Sequence, residues 1–141
     1  MEPKRKLLTS TEIKNNADSM STLIFELLNS SRDIHFLHLK VTGDGSFAAH
    51  KALQSYYEDI VDLGDSLAEQ YQGLMGKLLS YPKMSGLTPP NSVEDALTYL
   101  TKMYDLAAAH QQECPYSEIN NGIDEVKTLI NFTKYKLTFL E

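Results

Sequence analysis

No glycine or proline interrupts residues 9–42. Within that stretch Ile13, Ala17, Met20, Leu23, Leu27, Ile34, Leu37 and Val41 recur at three- or four-residue steps with one longer gap, the spacing of an apolar stripe along one α-helix. A helix of that length obliges the rest of the chain to cover its stripe. Ser10 or Thr11 is the expected cap, with Glu12 and Asp18 in the early turns. Gly43-Asp44-Gly45-Ser46 then supplies turn chemistry, and Ser46 is the expected cap of the next helix.

A second helix is predicted from Phe47 to about Leu79, with Phe47, Leu53, Tyr57, Ile60, Val61, Leu67, Ala68, Tyr71, Met75 and Leu78 as its apolar positions. Gly64, Gly73 and Gly76 lower its propensity without forbidding it. So short a turn makes the first two helices antiparallel neighbours. Residues 80–91 are too rich in proline for regular structure and read as a connection. Ser92, with Asp95 three residues later, resembles a capping box and opens a third helix to about Glu113, which Pro115 ends. A fourth begins near Ser117 and runs almost to residue 141. A helix of about 26 residues is roughly 39 Å long, and 12 extended residues span about 40 Å. The 80–91 link can therefore run the length of a bundle, which favours an all-α, ferritin-like four-helix bundle with a long crossover between helices two and three. An up-down-up-down bundle, which would need only about two to eight residues there, is the alternative topology.

At 141 residues, 42% of them hydrophobic and 23% charged, the chain is expected to make one domain over residues 9–141 behind a basic, flexible tail of residues 1–8. The lone cysteine, Cys114, excludes an intramolecular disulfide and favours an intracellular setting. No apolar run approaches the ~18 residues of a membrane span. A formal charge of -6 argues against nonspecific nucleic-acid binding by the body of the domain, leaving Lys4, Arg5 and Lys6 as the expected point of any contact with DNA phosphates.

The histidines are the informative residues. His35 and His38 lie one turn apart near the end of helix one, and His50 opens helix two across the turn, so all three are expected at one end of the bundle. Beyond His50, the residues Gln54, Glu58, Asp62, Asp65 and Glu69 continue along the same stripe of helix two, within an arc of ~120°. A solvated acidic face is the plain alternative. Imidazole with carboxylate suits iron, zinc or manganese. Asp65 and Glu69, however, stand about 22 and 28 Å along the helix from His50. If these residues share a metal, helix two of a second copy must run antiparallel alongside, and twofold symmetry makes two equivalent sites. No Glu-x-x-His pair, His-Glu-x-x-His or Gly-rich phosphate loop is present. His110, one turn before Cys114, gives only a slender basis for nucleophilic chemistry. The eight tyrosines, including Tyr56, Tyr57 and Tyr71, read as packing or interface residues.

The segment His38-x11-His50-x14-Asp65-x3-Glu69, with Gly43 in the turn and Leu67-Ala68 between the acids, resembles the Dps miniferritins, named for DNA protection in starved cells. The likeness covers the first two helices and is architectural over the last two. It implies a homo-oligomer, a dimer or the family's hollow dodecamer. It further implies an intersubunit ferroxidase centre in which His38 and His50 of one chain and Asp65 and Glu69 of its twofold mate bind iron, with zinc or manganese as substitutes. Three positions depart from the pattern. Gln54 stands where the family has an aspartate, Leu39 where it commonly has an aromatic residue, and Phe47 lies three rather than four residues before His50. The wording around Leu37-His38-Leu39-Lys40, His50-Lys51-Ala52-Leu53 and Asp62 to Gly73 is also similar to ferritin-like proteins encoded by large tailed bacteriophages, which implies a bacterial host cytoplasm or a virion. A metal-free structural or virion-associated assembly protein on the same scaffold remains the alternative.

Overall fold

The computed structural model describes residues 8–141, and the tail residues Lys4, Arg5 and Lys6 lie outside that range. The described residues fold into four helices: α1 (Ser10–His38), α2 (Ser46–Met75), α3 (Val93–Glu113) and α4 (Ser117–Phe139). None of them is strand. Helix α1 packs against α2 and α3, and α4 packs against the same two. The all-helical bundle is as the periodicity predicts, and no helix among the described residues is long and apolar enough to cross a membrane.

The helix ends differ from expectation in instructive ways. Thr9, one residue before the predicted caps, closes the first turn of α1 by accepting the Glu12 amide at 3.1 Å. Helix α1 stops at His38 rather than near Thr42, where the Lys40 amide tightens onto the Leu37 carbonyl three residues back instead of continuing the four-residue ladder. Ser46 is not the cap of α2 but its first residue. Gly45 holds the cap position at φ 76°, a left-handed conformation that glycine adopts without a Cβ clash. The same chemistry ends α2 early: Gly76, at φ 70°, terminates the helix at Met75, and Leu78, predicted as a core position, is left 82% exposed. Ser92 caps α3 as predicted by accepting the Asp95 amide at 3.0 Å, whereas the Asp95 carboxylate takes the Asn91 amide instead of completing the reciprocal box.

The core is built from one stripe of each helix, including Met20, Leu27, Leu53, Ile60, Leu100 and Ile130, all fully buried. Phe47 and Ile13, expected inside, are instead exposed. A polar seam lies within the apolar interior. Ser30 gives its hydroxyl proton to the Leu27 carbonyl, so the buried Tyr56 hydroxyl donates to Ser30 at 2.8 Å. Tyr99 donates to the buried Asp33 carboxylate at 3.0 Å, and Tyr71 donates to Asn16 at 2.6 Å. Burial raises all three phenol pKa values further above the ordinary tyrosine range, which keeps these hydroxyls as donors. Glu26 reaches from α1 to the 76–92 connection, accepting from the Ser85 hydroxyl and the Gly86 amide. These bonds fix helix register, since an unpaired buried polar group costs about 1–3 kcal/mol.

Candidate metal centre

The short turn between α1 and α2 folds the last turn of α1 onto the first turn of α2, which brings His38 and His50 face to face. Their rings stack with centroids 3.5 Å apart and planes 22° from parallel. Each then binds the other's backbone: His38 Nδ1 lies 2.8 Å from the His50 carbonyl oxygen, and His50 Nδ1 lies 3.0 Å from that of His38. A carbonyl oxygen has no proton to give, so both Nδ1 atoms must be the N–H donors. In the neutral rings the lone pairs are thereby confined to the two Nε2 atoms. This is the arrangement by which metal-ligating histidines are usually oriented, one ring nitrogen committed to an outer acceptor and the other left basic.

His35 and Tyr57 complete an aromatic cluster at this end of the bundle. The His35 ring stacks on Tyr57 at 4.0 Å, and His38 stands steeply inclined to both, its centroid 5.8 Å from that of His35 and 5.1 Å from that of Tyr57. The Tyr57 hydroxyl stands 3.5 Å from His38 Nε2, a long contact in which the hydroxyl is the donor. Sequence alone ranks Tyr57 with the other tyrosines as a packing residue. Its separation of seven residues from His50, two turns along α2, is the signal that it shares the histidine's side of the helix. His38 is buried and His50 half-buried, so the pair sits at the edge of the bundle rather than at its centre.

Asp65 and Glu69 lie on the same unbroken helix as His50, and both are exposed. Neither side chain has a hydrogen bond or ion pair among the described residues. At 1.5 Å per residue they remain about 22 and 28 Å from His50, so one chain does not bring the four candidate ligands together. Among the described residues no group of three or more His, Cys, Asp or Glu side chains is placed to hold a metal ion. Gln54, one turn beyond His50, donates from its amide nitrogen to Glu58 at 2.9 Å. His110 lies away from the cluster, on α3, buried against Ser19.

No curated protein matches the chain. A family model described as a family of unknown function, DUF5856, matches residues 38–137, a stretch that begins at His38 and takes in His50, Asp65 and Glu69. Because that match covers 100 of the 141 residues, the chain belongs to the DUF5856 family.

Proposed function

We propose that this chain is a miniferritin-like protein that binds iron, with zinc as a substitute, at sites shared between two copies related by a twofold axis, and that it oxidises Fe(II). The observation that carries this reading is the reciprocal bonding of His38 and His50, which commits both Nδ1 protons to carbonyl oxygens and leaves the lone pairs on Nε2, that of His38 in only a long contact with the Tyr57 hydroxyl. The exposed Asp65 and Glu69 supply the complementary donor set, hard oxygens of negative charge. Their remoteness from His50 within a chain supports a second copy as the source.

Ties at the two ends of the bundle support the ferritin-like crossover. Lys40, just past α1, bonds Asn91 just before α3, while Ser19 and Asn16 near the start of α1 bond His110 and Glu113 near the end of α3. With α1 and α2 joined by a short turn, this favours a 76–92 connection that travels from one end of the bundle to the other.

In the proposed site His38 and His50 of one copy hold the metal through Nε2, and Asp65 and Glu69 of the other neutralise its charge. Bound Fe(II) would supply the reducing electron, with O2 or peroxide as its acceptor. The Tyr57 hydroxyl must release His38 Nε2 for that nitrogen to bind. Gln54 adds no charge to the site, and the Gln54–Glu58 bond holds the amide on the neighbouring turn. The double variant His50→Ala/Glu69→Ala is expected to lose metal uptake while keeping its helical fold, at a melting temperature lowered by the loss of the His50 stacking and hydrogen bond. Wild-type iron content in that variant, measured by elemental analysis, would overturn the proposal.

One observation favours a second reading, a metal-free assembly protein or virion component on this scaffold. The two imidazoles already satisfy each other's turn of backbone and so work as a clasp without a metal. On that reading a chelator changes neither the native mass nor the melting temperature.

A further inference from the structure

The buried residues of α4, Ile119, Ile123, Val126, Ile130, Thr133 and Leu137, account for one side of the helix. On the other side Glu125, Thr128, Phe132, Tyr135, Lys136 and Phe139 fall within an arc of about 100° at helical spacing. Three of these are aromatic rings left in water: Phe132 is 61% exposed, Tyr135 56% and Phe139 69%. Such a concentration of exposed aromatic surface marks an interaction face rather than ordinary surface. Beside it a groove between α2 and α4 has an apolar floor of Leu63, Leu129 and Phe132 and an acidic rim of Asp59, Asp62 and Glu125.

The charges on this face are ordered. Glu125 lies toward the N-terminal half of α4 and Lys136 toward the C-terminal half, about 16 Å apart. The neighbouring lysines are committed to α3, Lys127 through Gln111 at 2.9 Å and Lys134 through Thr101 at 2.8 Å. Lys136 has no side-chain hydrogen bond or ion pair among the described residues. If α4 of a second copy lay parallel on this face, like charges would meet. If it lay antiparallel, each Glu125 would meet the other copy's Lys136, which would also approach Asp59 and Asp62. The Phe132 and Tyr135 rings would then close over each other's grooves between the two charge pairs, with Phe139 just outside them.

We propose that the outer face of α4 is a twofold interface with α4 of a second copy, antiparallel, with an aromatic centre around Phe132 and a Glu125–Lys136 pair at each end. The self-complementary charge order selects a second copy as the occupant, since a twofold contact uses the same patch on both partners. The interface uses none of His38, His50, Asp65 or Glu69, so it stands or falls independently of metal binding. A chain that used both faces would build an assembly larger than a dimer.

The test is charge reversal, read by native mass and sedimentation at matched micromolar concentrations, with helicity and melting temperature as folding controls. The wild-type chain is expected to self-associate. Glu125→Lys alone and Lys136→Glu alone should each weaken the association at least tenfold, because each places like charges at both ends of the interface. An equimolar mixture of the two variants should recover it, because the mixed pair carries two opposite-charge contacts. Phe132→Asp should weaken association through the aromatic centre without help from either charge. A monomeric wild-type chain, single reversals that leave its mass unchanged, or a mixture that fails to recover would each overturn the proposal.

Discussion

His110 makes the stability of this bundle depend on pH in a way that one substitution isolates. The residue is 1% exposed, its Nδ1 lies 2.8 Å from the Ser19 hydroxyl, and its Nε2 is buried with no partner. A second proton on that ring would have no acceptor for the additional charged N–H. Desolvation accordingly lowers the pKa from the ordinary 6.5 to about 4. In the unfolded chain the imidazole is in water and takes its proton near 6.5. Between these values the unfolded state binds more protons, so stability falls as pH is lowered from 6.5 towards 4 and the loss levels off below that. At ~1.4 kcal/mol per pKa unit the lost stability amounts to about 3 kcal/mol, a large share of the 5–15 kcal/mol by which domains are typically stable. His110→Leu removes the titration and leaves the half-wetted Ser19 hydroxyl free to bind water. Asp18 and Glu113, which line the same groove, are present in both proteins and cancel in the comparison. Urea unfolding at one fixed protein concentration should show the wild-type chain losing about 3 kcal/mol relative to the variant between pH 7 and pH 4. Stability curves that stay parallel across that range would refute the burial argument.

Three further substitutions read local packing and the role of position 54, where the miniferritins have an aspartate. Gly73→Ala, where a new Cβ meets nothing within 4 Å, should stabilise α2 by up to about 1 kcal/mol, whereas Gly122→Ala puts its Cβ 2.8 Å from Leu67 Cδ2 in the core and should destabilise the bundle. Thermal melts that rank the two in the opposite order would contradict the packing described for α2 and α4. Gln54→Asp should accelerate Fe(II) oxidation, followed by the absorbance of Fe(III), because it adds a charged oxygen donor one turn from His50 and breaks the Gln54–Glu58 bond. An unchanged rate alongside normal metal binding would remove position 54 from the proposed site.

The number of helices and the approximate span of each were legible in the sequence because glycine, proline and three- or four-residue periodicity act locally. The proximity of His38 and His50 was legible for the same reason, since a turn only a few residues long leaves their helices little choice but to pair. Helix ends were less so. Gly76 looks like a tolerated interior glycine until the backbone is seen to take a positive φ there, and Gly45 displaced the serine expected to cap α2. The buried polar seam was not legible at all. Glu26 and Asp33 look like surface residues of α1, but their partners Ser85 and Tyr99 lie 59 and 66 residues away. Nor could the sequence reveal that the two imidazoles bond each other's carbonyls, because that depends on ring orientation rather than on spacing. Asp65 and Glu69 mark the limit of a single chain: spacing separates them from His50, and the fold keeps that separation.

Complementation between two defective chains tests the shared site most directly. A His38→Ala/His50→Ala chain keeps only the acids, and an Asp65→Ala/Glu69→Ala chain keeps only the imidazoles. Neither should bind iron alone. Co-expressed and separated by native mass, their mixed pairs should each hold metal at one of the two twofold positions, where the imidazoles of one chain meet the acids of the other. Metal retained by either parent, or mixed pairs as empty as the parents, would contradict a site built from two copies.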